Sequence, residues 1–241
     1  MDRLLLLLLL FSYTGTAAQQ VQLKISHVVG QQPMQLQTAT YRNAAGDTFN
    51  ITLFKYYLSN FTLRDAKGED VRPASGYFLV SEDSSRSKMI VLDQCPEGKY
   101  TQLSFMIGVD SVLNFSGPQS GALDPLYGMF WTWNSGYIMA KLEGSSPSSR
   151  LRNHLIQFHI GGYRAPHVTQ RVVTLTLPDP LIVARERTPQ IALIADAATW
   201  FDGPNKVSFR QMAGFMTPGT PADRIADNYQ HMFSVKEIVT R

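Results

Sequence analysis

Beyond about residue 20 the chain is dominated by alternation of apolar and polar positions. Val21, Leu23, Ile25, His27 and Val29 share one phase, and Gln22, Lys24 and Ser26 share the other, the period of a half-buried strand. Phe49-Asn50-Ile51-Thr52-Leu53 alternates in the same way, and the run 54–63 is rich in aromatic and β-favouring residues. Residues 66–69 read as a turn, 77–80 as a return strand and 81–88 as a polar loop. Further strands are expected at 89–92, 103–109, 158–160, 171–177 and 190–194. Helical signals are fewer. Thr220-Pro221-Ala222-Asp223 sets a capping hydroxyl, a first-turn proline and an early carboxylate in order. Ile225, Tyr229, Met232 and Phe233 follow at helical spacing. Many short strands broken by Gly, Pro and Asn predict an all-β protein. The expected architecture is a single antiparallel β-sandwich with long loops and one short C-terminal helix.

The densest aromatic stretch is Met129-Phe130-Trp131-Thr132-Trp133, between expected loops at 118–125 and 145–149. In an extended strand Met129, Trp131 and Trp133 would share one face. A thioether and two large π-systems form a soft, polarizable surface. It suits a packed core or a soft ligand such as Cu(I).

The N-terminus changes the compartment. Met1-Asp2-Arg3 precedes an apolar run, Leu4 to Phe11, and then small residues up to Ala18. That run of about eight residues is far short of the ~20 needed to span a bilayer, and the pattern is that of a cleavable secretory signal. Residues 1–18 are therefore expected to be a signal peptide and 19–241 the domain, with no membrane span in the mature chain. Cys95 is the only cysteine, so no internal disulfide can form. An exported chain of this kind fits a bacterial periplasm or cell surface. Lys and Arg exceed Asp and Glu by only 22 to 19 and do not cluster, which argues against nucleic acid as a partner.

Catalytic patterns are weak. No Gly-x-Ser-x-Gly elbow occurs, and Gln94-Cys95-Pro96 offers no cationic neighbour to activate the thiol. The reading is a binding protein, not an enzyme. None of the five histidines belongs to a tight ligand motif. His27 lies in the apolar phase of its strand, where it is either a buried neutral imidazole or a ligand facing a pocket. His159 stands in Phe158-His159-Ile160-Gly161-Gly162, where two glycines permit close backbone approach or an unusual turn.

Three blocks carry a family resemblance: Gly121-Ala122-Leu123-Asp124-Pro125, Met129-Phe130-Trp131-Thr132-Trp133-Asn134-Ser135-Gly136-Tyr137 and Lys141-Leu142-Glu143-Gly144. They resemble the hallmark of the MbnP-like copper-binding proteins, the methanobactin-associated family related to MopE-type surface copper proteins. The segment 158–162 resembles the family's histidine-glycine strand, 54–61 its early aromatic strand, and 228–233 the tail of its Bacteroidetes-type branch. The resemblance implies an exported β-sandwich holding one copper ion, Cu(I) or Cu(II), through histidines. It also implies a tryptophan oxidised to kynurenine by a partner dihaem enzyme of the MauG type. By position, His159 matches the family's histidine strand, Trp131 and Trp133 match the block of the modified tryptophan, and His27 matches a histidine of the Bacteroidetes-type branch. The resulting expectation is that His27 and His159 converge beside Met129, Trp131 and Trp133 to hold copper for acquisition or buffering. The competing expectation is a non-metal envelope module whose tryptophan face takes a carbohydrate or a peptide.

Overall fold

A computed structural model describes residues 19–240 apart from 75, 134 and 135. The expected signal peptide and two residues of the tryptophan block, Asn134 and Ser135, lie outside the described residues. The principal strands are β1 (Gln19–Val29), β2 (Thr48–Asp65), β3 (Phe78–Ser81), β4 (Met89–Cys95), β5 (Gly98–Ile107), β6 (Phe130–Trp131), β7 (Gly136–Ser145), β8 (Leu155–Gly161), β9 (Arg171–Val183), β10 (Pro189–Asp196) and β11 (Phe233–Thr240).

Two sheets stack face to face. The smaller runs β11-β10-β1, with β4 on the other edge of β1. The larger runs β9-β5-β2-β7-β8, with β3 also paired to β2. The alternation of β1 is realised: Val21, Leu23, Ile25, His27 and Val29 are buried, whereas Lys24 and Ser26 are exposed. Between the sheets lies an aromatic core that includes Phe54, Tyr56, Phe105, Phe158, Trp200 and Phe201.

The sandwich is not wholly antiparallel. β1 and β10 run parallel from Gln22↔Gln190 to Val28↔Asp196, and β8 runs parallel to the short strand Gly214–Phe215. Alternation reports which face a residue occupies but not strand direction. The near-continuous burial of β10 is that of a strand covered on both faces.

The C-terminal helix forms as α3 (Thr220–Tyr229), preceded by the one-turn helices α1 (Ser111–Phe115) and α2 (Thr199–Asp202). It ends sooner than its apolar spacing predicts, because Phe233 opens β11 against β10 instead of continuing the helix.

A second, smaller apolar cluster sits on the outer face of the larger sheet. It gathers Tyr57, Val109, Leu123, Met129, Trp131, Tyr137, Ile138 and Met139. The period of two explains the division, since Tyr56 enters the central core and Tyr57 the outer cluster. The expected loop at 118–125 folds into short 3-10 turns at Gly121–Leu123 and Pro125–Tyr127 that cover this cluster.

Candidate functional site

The tryptophan block is a tight hairpin and not one strand. Trp131 of β6 pairs with Gly136 of β7, and Phe130 pairs with Tyr137. Asp124 caps the 3-10 turn before it by accepting from the Leu126 amide at 2.9 Å. Gly128 then reverses the chain with φ of 69°, a conformation that favours glycine. Met129 and Trp131 both enter the outer cluster, as their shared phase predicts. Trp133 departs from the expectation, because the chain has already turned. It is 62% exposed, against 5% for Trp131, and its ring stacks on that of Trp131 at 5.4 Å between centroids, tilted by 40°.

Trp131 lies over the backbone of β8. A Cβ on Gly161 would stand 2.5 Å from its Cζ3, so the glycine that ends the histidine strand makes room for the indole, the close backbone approach that its sequence allows. Among the described residues the buried indole Nε1–H has no acceptor, and the Tyr57 hydroxyl is likewise without a partner. Two unsatisfied polar groups in one small cluster are unusual, because nearly all such buried groups are paired. Asn114 fixes the segment above: its amide nitrogen donates to the Val109 carbonyl at 2.8 Å, and its oxygen accepts from the Tyr137 amide at 2.8 Å. The Tyr137 hydroxyl donates to the Leu123 carbonyl at 2.9 Å.

His159 belongs to this outer face. Ile156, Phe158 and Ile160 of β8 enter the central core, so His159 and Gly161 point the other way. His159 Nε2 is 2.7 Å from Glu143 Oε1, and Lys141 Nζ is 3.3 Å from the same oxygen. Lys141 also donates to the Gly128 carbonyl at 3.3 Å, which ties this trio to the base of the tryptophan hairpin. The hydrogen bond from His159, with smaller help from the Lys141 charge, holds the Glu143 carboxyl below its usual range against its partial burial.

His27 is elsewhere. It points between the sheets, edge-on to Phe54 and Tyr56 at 5.0 and 5.5 Å. Its Nδ1 meets Glu82 at 2.6 Å and its Nε2 meets the Tyr56 hydroxyl at 2.7 Å. A neutral imidazole protonated on Nδ1 satisfies both. Lys88 closes the network by donating to Glu82 at 2.8 Å. Burial lowers the His27 pKa from its ordinary 6.5, outweighing the attraction of Glu82. The expected convergence of His27 with His159 is therefore corrected. Strand phase points His27, on the smaller sheet, into the space between the sheets and His159 to the outer face of the larger one, and both nitrogens of His27 are engaged.

For a metal, the face supplies little. Among the described residues no group of three or more His, Cys, Asp and Glu is placed to hold an ion. Cys95 is buried, and burial pushes its thiol up to about 11. The outer face offers the Nδ1 of His159, the thioether of Met129 and the two indole faces. A single imidazole with soft neighbours suits a low-coordinate soft cation and not a hard one, and it calls for one further nitrogen or sulfur donor.

Sequence reasoning singled out His159 and both tryptophans, but not the parts played by Lys141, Glu143 and Gly161. The Gly161-Gly162 pair was the available signal for the last of these. The acidic partner of His159 had none, because pairing of β7 with β8 decides it.

The fold and this face define a class: a two-sheet β-sandwich that carries a stacked indole pair and a histidine on the outer side of one sheet. The chain belongs to the MbnP family, whose profile matches residues 18–217. Its fold is similar to the solved structure of MbnP from Methylosinus trichosporium, with a TM-score of 0.56 and 15% sequence identity over 92% of this chain and 99% of that one. No curated protein matches the chain.

Proposed function

We propose that this chain is an exported copper-binding protein, released from its N-terminal signal into the periplasm or onto the cell surface, where it acquires or buffers copper without catalysing a reaction. Membership of the MbnP family supports the copper reading. The observation that carries the location is the buried, unpartnered indole nitrogen of Trp131, stacked against exposed Trp133 on the face that holds His159. His159 would be the histidine ligand, oriented by Glu143 through its other nitrogen as metal-bound imidazoles commonly are. The donor that the face lacks would come from Trp131. Addition of two oxygen atoms would cleave the C2–C3 bond of the five-membered ring, and hydrolysis would release C2 as formate to give kynurenine, whose aniline nitrogen is an acceptor where indole has only a donor. A dihaem peroxidase-like partner of the MauG type would supply the oxidising equivalents. His27 would serve the core.

Copper titration of protein made in its native host is the test, together with the His159→Ala, Trp131→Phe and His27→Ala variants. Affinity should fall in the first two and hold in the third. Intact mass should exceed the mass calculated for the mature chain, residues 19–241, by about 4 Da, from one oxygen gained and one carbon lost. Full affinity in His159→Ala would overturn the assignment.

The exposed face of Trp133 favours a second reading, in which the chain takes a carbohydrate or a peptide by stacking. That reading requires Trp133→Ala to abolish ligand capture while His159→Ala leaves it intact.

A further inference from the structure

Lys55, Lys141 and His159 stand directly opposite one another across three adjacent strands. Lys55 and Lys141 are like charges facing each other across the sheet, which is destabilising. Glu143 answers Lys141 and His159, but Lys55 makes no hydrogen bond or ion pair among the described residues. It opens into a cleft of about 450 Å³ beside the outer cluster. Tyr77, Leu79, Met89 and Tyr127 line the apolar walls of this cleft, and Arg86 stands at its rim. Arg86 likewise makes no hydrogen bond or ion pair among the described residues. Lys88, on the same loop, is by contrast committed to Glu82. The one acidic side chain on the lining is Asp83, which accepts the Ser81 hydroxyl at 2.5 Å. Two unanswered cations against one carboxylate leave the cleft net positive, over walls that are mainly carbon.

We propose that this cleft is a second binding site, separate from the copper-site assignment, for a small amphipathic carboxylate. The ligand's aromatic or short acyl body would lie between Tyr77, Leu79 and Tyr127, and its carboxylate would meet Lys55 and then Arg86. Three features support the match. The volume falls in the range of small-molecule sites. The half-buried Lys55 pairs with an anion more strongly than a fully solvated cation does. The aromatic walls offer contact area at low entropic cost.

Isothermal titration of the full mature chain in a chelated, low-salt buffer tests this, with 4-phenylbutyrate as probe and 4-phenylbutyramide as its neutral counterpart. The acid should bind at least about fivefold more tightly than the amide, because only the acid brings a negative charge to pair with the Lys55 ammonium. Lys55→Gln should bring the acid down to the level of the amide and leave the amide unchanged. Arg86→Gln should do the same to a smaller degree, since that side chain is more exposed. Tyr127→Ser should weaken both probes alike. Circular dichroism checks that each variant is folded; neither cation has a partner to lose among the described residues. Equal binding of acid and amide, no binding of either up to several millimolar, or an unaltered acid affinity in Lys55→Gln would overturn the proposal. None of these results depends on whether copper binds at His159.

Discussion

Replacing Gly161 by alanine tests the geometry on which the site rests. The new methyl group would stand 2.5 Å from Cζ3 and 2.8 Å from Cη2 of Trp131, and 2.9 Å from the carbonyl oxygen of Tyr137. Carbon atoms prefer about 3.5–4.0 Å, so the indole must retreat by roughly 1 Å. The ring is wedged between β8 and the stacked Trp133, and the third close atom is backbone in β7. Rotating one side chain cannot relieve all three contacts. Overpacking of this kind costs about 1–3 kcal/mol, and the backbone contact argues for the upper half. For a domain of this size that corresponds to a fall in Tm of roughly 5–10 °C. Thermal melts followed by far-UV circular dichroism measure it. Tryptophan fluorescence supplies an independent readout: displaced into solvent, Trp131 should shift the emission to the red, while buried Trp200 is unaffected. Gly76→Ala is the control, since a Cβ there meets nothing within 4 Å. A Gly161→Ala protein that melts within about 1 °C of the parent, with unchanged emission, would refute the placement of Trp131 over β8.

The remaining predictions use other parts of the molecule. Trp131→Ala should cost about 3–5 kcal/mol, as large aromatic truncations in a packed cluster do, whereas Trp133→Ala should cost only about 0.5–1.5 kcal/mol, the worth of its ring stacking; urea titration separates them, and equal losses would contradict the exposure difference. Stability should fall as pH drops below about 6.5, because His27 is held neutral in the fold and its folded pKa lies beneath the unfolded value, so the unfolded chain takes up the proton first. Glu82, whose folded pKa is also lowered, adds a second loss below about 4.5. Denaturation at a series of pH values should show the upper component vanish in His27→Asn, and its persistence there would assign it to another group. Asn228→Ala should destabilise by about 2–4 kcal/mol, since that fully buried amide donates to the carbonyls of Trp200 at 2.8 Å and Asn205 at 2.6 Å and accepts from the Asn205 amide at 2.8 Å; chemical denaturation measures it.

Much of this architecture is legible in the sequence where the period is unbroken. β1 shows its buried face residue by residue. β11 does not, because a register shift against β10 moves the next half-buried apolar residue after Val235 to Ile238, three positions on. The same segment begins with Phe233, which also fits the helical spacing of α3. The candidate site divides in the same way. The phase of His159 is written in its neighbours: Ile156, Phe158 and Ile160 carry the core face, so the histidine belongs to the other side. Comparing that phase with His27 in β1 would have separated the two histidines. What no local pattern encodes is the turn at 132–133. It lifts Trp133 out of line with Trp131 and depends on the β6–β7 pairing. Glu143 meets His159 only through strand register, which the sequence does not display.

The parallel pairing of β1 with β10 has a consequence for the order of assembly. Gln22 and Gln190 sit side by side although 168 positions separate them, and beyond the two-residue pairing of Val28 and Val29 with Gln32–Pro33 the antiparallel neighbour of β1 is not made until residues 89–95. A polypeptide synthesised or threaded from its N-terminus therefore makes β1 well before either of its long neighbours, and the edge that takes β10 stays open the longest. Such non-local closure is slow, and a lone strand edge invites mispairing in the interval.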